Sequence, residues 1–390
     1  MPKRAERIAT VPPYLFAEID KKKAAAIARG VDVISLGIGD PDLPTPKFVV
    51  DKMKEAVENP KWHQYPDYDG SLAYRTAVTQ FYKRRFGVDL NPKTEALALI
   101  GSKEGIAHII WAYIDPGDIA LVPDPAYPVY KTHTLLAGGT PYLMPLTREN
   151  NFLPDLKAIP EDVARKAKLL FVNYPNNPTG GVADIEFYRE AVAFCKKYDI
   201  LLVSDNAYSE MTYDGFKAPS VFEVEGAMET AVEFWSLSKP FNMTGWRIAA
   251  LVGNAEAVAA LGIIKTNTDS GQFTAIQEAA IEALTSPEAD GFIAEMNAIY
   301  TRRRDMAVAG LRAIGLDAQP MKGSFYLWLQ VPAGHTSTSF AGLLLEEAGV
   351  IVTPGSAYGA HGEGYVRLSL CLKEERLQQA IERIQKHVKV

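Results

Sequence analysis

The chain has 390 residues, 47% apolar and 23% charged, with 41 Lys+Arg against 47 Asp+Glu for a formal charge of −6. That composition can bury a sizeable core, which excludes a largely disordered chain, and the mild acidity argues against a nucleic-acid partner. Two cysteines, Cys195 and Cys371, exclude a disulfide framework, and six histidines without ligand spacing predict no His/Cys metal site.

At roughly 150 residues per domain, the length predicts two or three domains. The segment Met1–Phe16 holds Lys3, Arg4, Glu6 and Arg7 before Pro12 and Pro13, with no apolar stretch of signal-peptide length. No apolar run approaches the ~20 residues that cross a bilayer, so a soluble cytoplasmic protein without a membrane partner is expected. Lys21–Lys23 and Arg302–Arg304 read as solvated helix faces, because acids and apolar residues flank both runs.

Short β-rich runs alternate with helical patterns through the middle of the chain. Strands are expected at Ile119–Val122, Lys168–Val172, Ile200–Ser204, Val232–Ser236 and Ile248–Val252, their near-continuous apolar character suiting burial on both faces. Helices are expected between them, as at Lys103–Ile114 and Ile185–Tyr198. This alternation predicts an α/β fold with a mostly parallel sheet, in a large domain spanning 46–285. From there the texture changes. A charged helix from Gly291 to about Ile314 precedes a strand-like Ser324–Gln330, a helix near Ser339–Ala348, the run Gly364–Ser369 and a last helix. These predict a smaller α+β domain, 286–390, to which residues 1–45 return. No internal repeat or low-complexity tract is present.

Five segments could carry chemistry, and each has a plain alternative. Gly101-Ser-Lys-Glu-Gly105 opens a helix after the apolar run Ala96–Ile100; its exposed N–H groups suit a phosphate, or are a simple cap. Asp124-Pro-Ala-Tyr127-Pro presents an aromatic ring, or a core tyrosine. Asn173-Tyr-Pro-Asn-Asn-Pro-Thr-Gly180 is turn chemistry at the end of a strand, where an Asn amide can bind a ligand oxygen. Asp205 closes a strand as a cap or a functional carboxylate, with Tyr208 following. Ser236-Leu-Ser238-Lys239, with Arg247 downstream, offers a phosphate counter-charge, a Schiff-base nucleophile or a surface lysine.

In this order, from about Val33 to the C-terminus, the set resembles the aspartate aminotransferase family, fold type I enzymes that use pyridoxal 5′-phosphate. The resemblance implies that Lys239 carries the cofactor as a Schiff base and shuttles the proton at the substrate's α-carbon. It implies that Asp205 pairs with the pyridine nitrogen, keeping it protonated. By the same resemblance, Asn177 and Tyr208 bond the phenolic oxygen and Tyr127 stacks on the ring. Ser102, Lys103, Ser236, Ser238 and Arg247 form the phosphate cup. Tyr65, in His63-Gln-Tyr65-Pro-Asp-Tyr-Asp-Gly70, is similar to the tyrosine that reaches the phosphate of the neighbouring subunit, implying a homodimer with shared sites. Arg367, in Tyr365-Val-Arg367-Leu-Ser, resembles the arginine that clamps the substrate α-carboxylate, and Gly39 the segment lying against it.

Pro12-Pro-Tyr14-Leu-Phe16, Ser35-Leu-Gly-Ile-Gly-Asp-Pro-Asp42 and the Gly101 and Asn173 motifs together resemble LL-diaminopimelate aminotransferases. The Pro-Pro-Tyr start and the Gly-Ser-Lys-Glu-Gly element are also similar to alanine (glutamate–pyruvate) aminotransferases, and an aspartate donor stays open as well. Diaminopimelate has a distal ammonium that needs an acceptor. Asp67 and Asp69 are candidates, or exposed turn residues, with Tyr14, Asn267, Lys103, Tyr127 and Asn177 around the same pocket. The implied reaction moves the amino group between LL-diaminopimelate and 2-oxoglutarate, in lysine biosynthesis. Lyases of this fold share the cofactor residues. A non-catalytic regulator of the same fold carries a DNA-binding module, for which the short stretch before Val33 leaves no room.

Overall fold

The structure, a computed structural model, describes residues 1–11 and 15–388. Short apolar runs pair into a seven-stranded sheet with the strand order Ala96–Leu99, Ala249–Gly253, Ala231–Ser236, Leu201–Asp205, Ala167–Val172, Ile119–Asp124 and Thr140–Pro145. Neighbours run parallel except at Ala249–Gly253, which is antiparallel to both of its partners. The five expected strands all form, with ends displaced by one or two residues. Thr140–Pro145 is an additional strand. Its Pro141 and Pro145 lack ladder donors, and it takes an edge of the sheet, where that lack is tolerated.

Side chains alternate across this sheet into two cores. Leu97, Leu99, Phe171, Val203, Phe234 and Leu251 join one, while Ala98, Leu170, Val172, Leu202, Trp235 and Val252 join the other. Helices cover both faces, as the doubly apolar strands require. Their starts are capped locally: Ser71 accepts from the Tyr74 N–H and Asp184 from the Phe187 N–H. Because most strands are parallel, Asp124, Val172, Asp205 and Ser236 all finish at one end of the sheet. Ligand crevices of such sheets lie at that end.

A second body, with its own core, gathers around the antiparallel strands Thr353–Pro354, Tyr365–Ser369 and Tyr326–Gln330. The N-terminal segment returns to it: Ile34–Ser35 pairs in parallel with Val350–Ile351, and Ile34 and Leu36 are buried there. The helix Ala289–Arg312 links both bodies, packing Phe292 against the first and Met296, Tyr300 and Ala307 within the second. It also corrects one expectation. Arg303 and Arg304 are buried rather than solvated; Arg303 grips Asp42 in a fork at 2.7 and 2.8 Å, and Arg304 grips Asp214 at 2.7 and 3.0 Å. Arg302 alone keeps to the exposed face, paired with Glu374. No helix among the described residues is long and apolar enough to cross a membrane.

Candidate active site

The strand ends meet the second body at a cavity of about 360 Å³. Gly39, Ser102, Lys103, Tyr127, Asn177, Asp205, Tyr208, Ser236, Ser238, Lys239, Arg247 and Arg367 all line it.

Asp205 projects from the last position of the strand Leu201–Asp205. Its Oδ2 accepts a 2.6 Å hydrogen bond from the Tyr130 hydroxyl, while Oδ1 is buried without a partner. Burial pushes this carboxyl up to about 6, opposed by the Tyr130 hydrogen bond and then by the charge of Lys239. Asn173 holds the strand end from the next strand over, donating through Nδ2 to the Asp205 carbonyl at 2.7 Å. The orphaned oxygen therefore has a fixed direction and an unmet need for a donor.

Lys239 follows the strand Ala231–Ser236, and its Nζ donates to the Gly39 carbonyl at 3.3 Å. Burial lowers its pKa, which raises the share of free amine available as nucleophile or base. The Ser236 Oγ accepts from the Ser238 N–H at 3.1 Å, bending the chain so that the lysine enters the cavity.

An anion-binding corner lies at the start of the helix Ser102–Tyr113. Gly101 holds φ +79 there, and a Cβ at that position would run into the Arg247 guanidinium, so the close approach requires glycine. The Ser102 hydroxyl is buried without a partner. Arg247, itself left-handed at φ 55, is braced by a 2.7 Å bond from Nη1 to the Thr244 carbonyl. Helix N–H groups, hydroxyls and a guanidinium thus converge, as a phosphate requires.

On the opposite wall, Arg367 is buried in the strand Tyr365–Ser369. It donates to Asn177 Oδ1 at 2.9 Å and to the Gly37 carbonyl at 2.6 Å, and its guanidinium lies 4.1 Å from the Tyr326 ring centroid. Gly39 is pressed so closely on the Tyr326 hydroxyl that a Cβ would overlap it. Tyr326 OH lies 3.3 Å from Tyr208 OH, whose pKa burial raises well above its ordinary value. Such an arrangement can bind a ring with a protonated nitrogen against Asp205, an anion at the helix end, and a carboxylate near Arg367.

Sequence reasoning missed Asn173 and Tyr326, which line the cavity, and Tyr130, which bonds Asp205 behind it. Tyr130 had a local signal, three residues after Tyr127 in the first turn of the helix Val129–Leu136, and Asn173 lay in a motif singled out for Asn177. Tyr326 had none, since its contacts with Gly39 and Arg367 are distant in sequence. Among the described residues, four other candidates do not line the cavity. Tyr65 is 86% exposed, with Asp67 and Asp69 exposed on the same turn. Asn267 is exposed at the end of the helix Ala255–Thr266, donating to the Ile263 carbonyl at 2.8 Å. Tyr14 lies outside the described residues.

The chain is 56% identical to an LL-diaminopimelate aminotransferase of Moorella thermoacetica, over 98% of this chain and 97% of that one. A relative of the same description from Aquifex aeolicus is 54% identical over 97% of this chain and 98% of its own. Among solved structures, substrate-bound BacF from Bacillus subtilis superposes with a TM-score of 0.95 at 39% identity, covering 99% of this chain and 98% of that one. Residues 31–384 match the family described as aminotransferase class I and II, and with a cavity that joins a buried lysine, an orphaned carboxylate and a guanidinium, the chain belongs to that family.

Proposed function

We propose that this enzyme transfers the amino group between LL-2,6-diaminopimelate and 2-oxoglutarate with pyridoxal 5′-phosphate as cofactor, yielding glutamate and, after cyclisation, tetrahydrodipicolinate. The observation that carries the substrate is the full-length likeness, at 56% identity, to relatives named for this amino donor. A cytoplasmic location and the division into 46–285 and 1–45 with 286–390 belong to the same reading. The separate core shared by Ile34, Leu36 and the C-terminal strands supports that division.

The residues fit the cofactor. The unpartnered Asp205 Oδ1 would accept the pyridinium N–H, and the unpartnered Ser102 hydroxyl, with Ser236, Ser238, Lys103 and Arg247 of the cavity lining, would hold the phosphate. Asn177 and Tyr208, on the same lining, would bond the phenolic oxygen, and Tyr127 would stack on the ring. When bound, pyridoxal phosphate supplies an electron sink for the pair released at the substrate α-carbon. Asp205 sustains that sink by holding the ring nitrogen's proton. Lys239 Nζ attaches the cofactor between turnovers and is the base for the α-proton. Arg367 accepts the α-carboxylate in a fork that its bonds to Asn177 and Gly37 keep aimed.

The exposed turn of Tyr65 serves a second copy of the chain. Tyr65 reaches the partner's phosphate, and Asp67 or Asp69 accepts the distal ammonium that alanine lacks. Tyr14 and Asn267 remain candidates for the same pocket. Exposed apolar side chains near that turn, Tyr68, Leu72 and Ile263, support a homodimer there.

The test is a panel of LL-diaminopimelate, alanine, aspartate and aromatic donors, with borohydride trapping and peptide mapping of the cofactor lysine. The highest kcat/KM is expected with LL-diaminopimelate and the label on Lys239. Equal or better turnover of alanine refutes the substrate assignment, and full activity in an Asp67→Ala/Asp69→Ala variant refutes the pocket model. A label elsewhere refutes the lysine.

A further inference from the structure

Four ionisable side chains gather beside the helix Ser102–Tyr113, and the chemistry above uses none of them. Lys265, in the last turn of the helix Ala255–Thr266, is 1% exposed. Its Nζ donates to both oxygens of Asp269 at 2.9 and 3.0 Å and lies 3.5 Å from Glu104 Oε1. His108 Nδ1 is 2.7 Å from that same oxygen, without hydrogen-bond alignment. Ligand atoms of Glu104, His108 and Asp269 lie within 4.8 Å of one another, a spacing that suits a metal ion. Here the lysine's own ammonium is the cation among them.

This cluster touches both halves of the anion-binding corner. Glu104 is the third residue of the helix whose N-terminus forms that corner, and its Oε2 accepts the Ile100 N–H at 3.0 Å, closing the Ile100–Ser102 turn. A carboxylate in the first turn suits the helix dipole, but it also opposes any second anion bound at the same end. Asp269 Oδ1 accepts the Gly271 N–H at 2.7 Å, and the adjoining Gln272 donates to the Trp246 and Arg247 carbonyls at 3.0 and 2.6 Å. A single buried ammonium therefore bonds Asp269 directly and, 3.5 Å from Glu104 Oε1, offsets part of the charge of the acid beside the corner.

We propose that Lys265 is a positioning residue for the cofactor phosphate, offsetting the charge of Glu104 at the phosphate-binding helix end. The inference rests on the pyridoxal phosphate reading above. It differs from a purely structural role in one respect: its effect falls on the phosphate and not on the ring.

Full-length apoprotein is titrated with pyridoxal phosphate and, separately, with pyridoxal, which lacks the phosphate, following the absorbance of the lysine adduct. Lys265→Met is expected to weaken pyridoxal phosphate about tenfold, while pyridoxal changes less than about twofold. Adding Glu104→Gln to Lys265→Met removes the uncompensated charge at the phosphate-binding helix end, leaving that of Asp269, and is expected to restore most of the loss. Asp269→Asn leaves Lys265 wholly to Glu104 and keeps an oxygen for Gly271, so its affinity for pyridoxal phosphate is expected to be no weaker than wild type. Should Lys265→Met fail to fold, the double variant and Asp269→Asn still decide. Equal losses for both ligands, no recovery in the double variant, or about a tenfold loss in Asp269→Asn would overturn the proposal. Wild-type protein that takes up neither ligand on Lys239 refutes the cofactor reading and this inference together; wild-type uptake with an unchanged ligand ratio in Lys265→Met refutes this inference alone.

Discussion

Asp205 carries opposite consequences for stability and for chemistry. Its folded pKa of about 6 lies above the ordinary value of 3.8, so burial favours the protonated form. The stability this group contributes is complete below pH 4 and declines as pH rises through 6, a loss of about 3 kcal/mol at 1.36 kcal/mol per unit. The apo form of Asp205→Asn is therefore expected to equal wild type near pH 3.5 and to exceed it by up to about 3 kcal/mol at pH 8, measured by urea denaturation at both. The same substitution is expected to lower kcat/KM at least about a hundredfold, because a neutral amide cannot hold the ring nitrogen's proton. A gain in stability without a loss in turnover would show that the carboxylate does not serve the ring. Gly101→Ala tests the opposite corner: its φ of +79 and the overlapping Arg247 guanidinium predict a loss of cofactor affinity of about tenfold or more, read by equilibrium titration. Lys239, Asp205 and Arg247 were legible in the sequence because each lies within a few residues of a strand end or a motif. Tyr130 had only its nearness to Tyr127 as a local signal, since its bond to Asp205 crosses 75 residues.

Among the elements, the helix Ala289–Arg312 shows what local pattern misses. The Arg302–Arg304 run has polar and apolar flanks, which read as a solvated face. Yet Arg303 meets Asp42 across 261 positions and Arg304 meets Asp214 across 90. The two forks are not equivalent. The Asp42 side chain is only 19% exposed, whereas Asp214 is 53% exposed and can rehydrate if its partner is lost. Arg303→Leu is accordingly expected to cost about 3 kcal/mol and Arg304→Leu about 1 kcal/mol, compared by denaturant midpoints at constant m. Equal costs would mean that the exposure of the acid does not set the penalty. Arg303→Leu is also expected to raise KM for the amino donor, because Asp42 closes the Gly37–Asp42 segment whose carbonyls hold Arg367 and Lys239. The strands were legible for the reverse reason. Near-continuous apolar runs of this length are stable only when buried on both faces, and that requirement is written within each run.

For the whole molecule, the proposed sharing of sites between two copies carries a quantitative prediction. A Lys239→Ala chain and a Tyr65→Ala chain, mixed equally and allowed to exchange, place one intact site in each heterodimer. With random pairing, about a quarter of all sites are intact, so recovery of up to about a quarter of wild-type activity is expected. Full exchange, shown by mass spectrometry, with no recovery would assign Tyr65 to its own chain's surface alone. What the sequence by itself determined was the parallel α/β sheet, the anchoring of reactive residues to strand ends and the family they belong to, because periodicity and short motifs are local properties of the chain. The tertiary structure decided which arginines are buried, which carboxylate oxygen is left unpaired, and that Tyr326 closes the wall against Gly39. Those outcomes depend on groups far apart in sequence being desolvated together, and no local pattern encodes the dielectric or the partner that folding supplies.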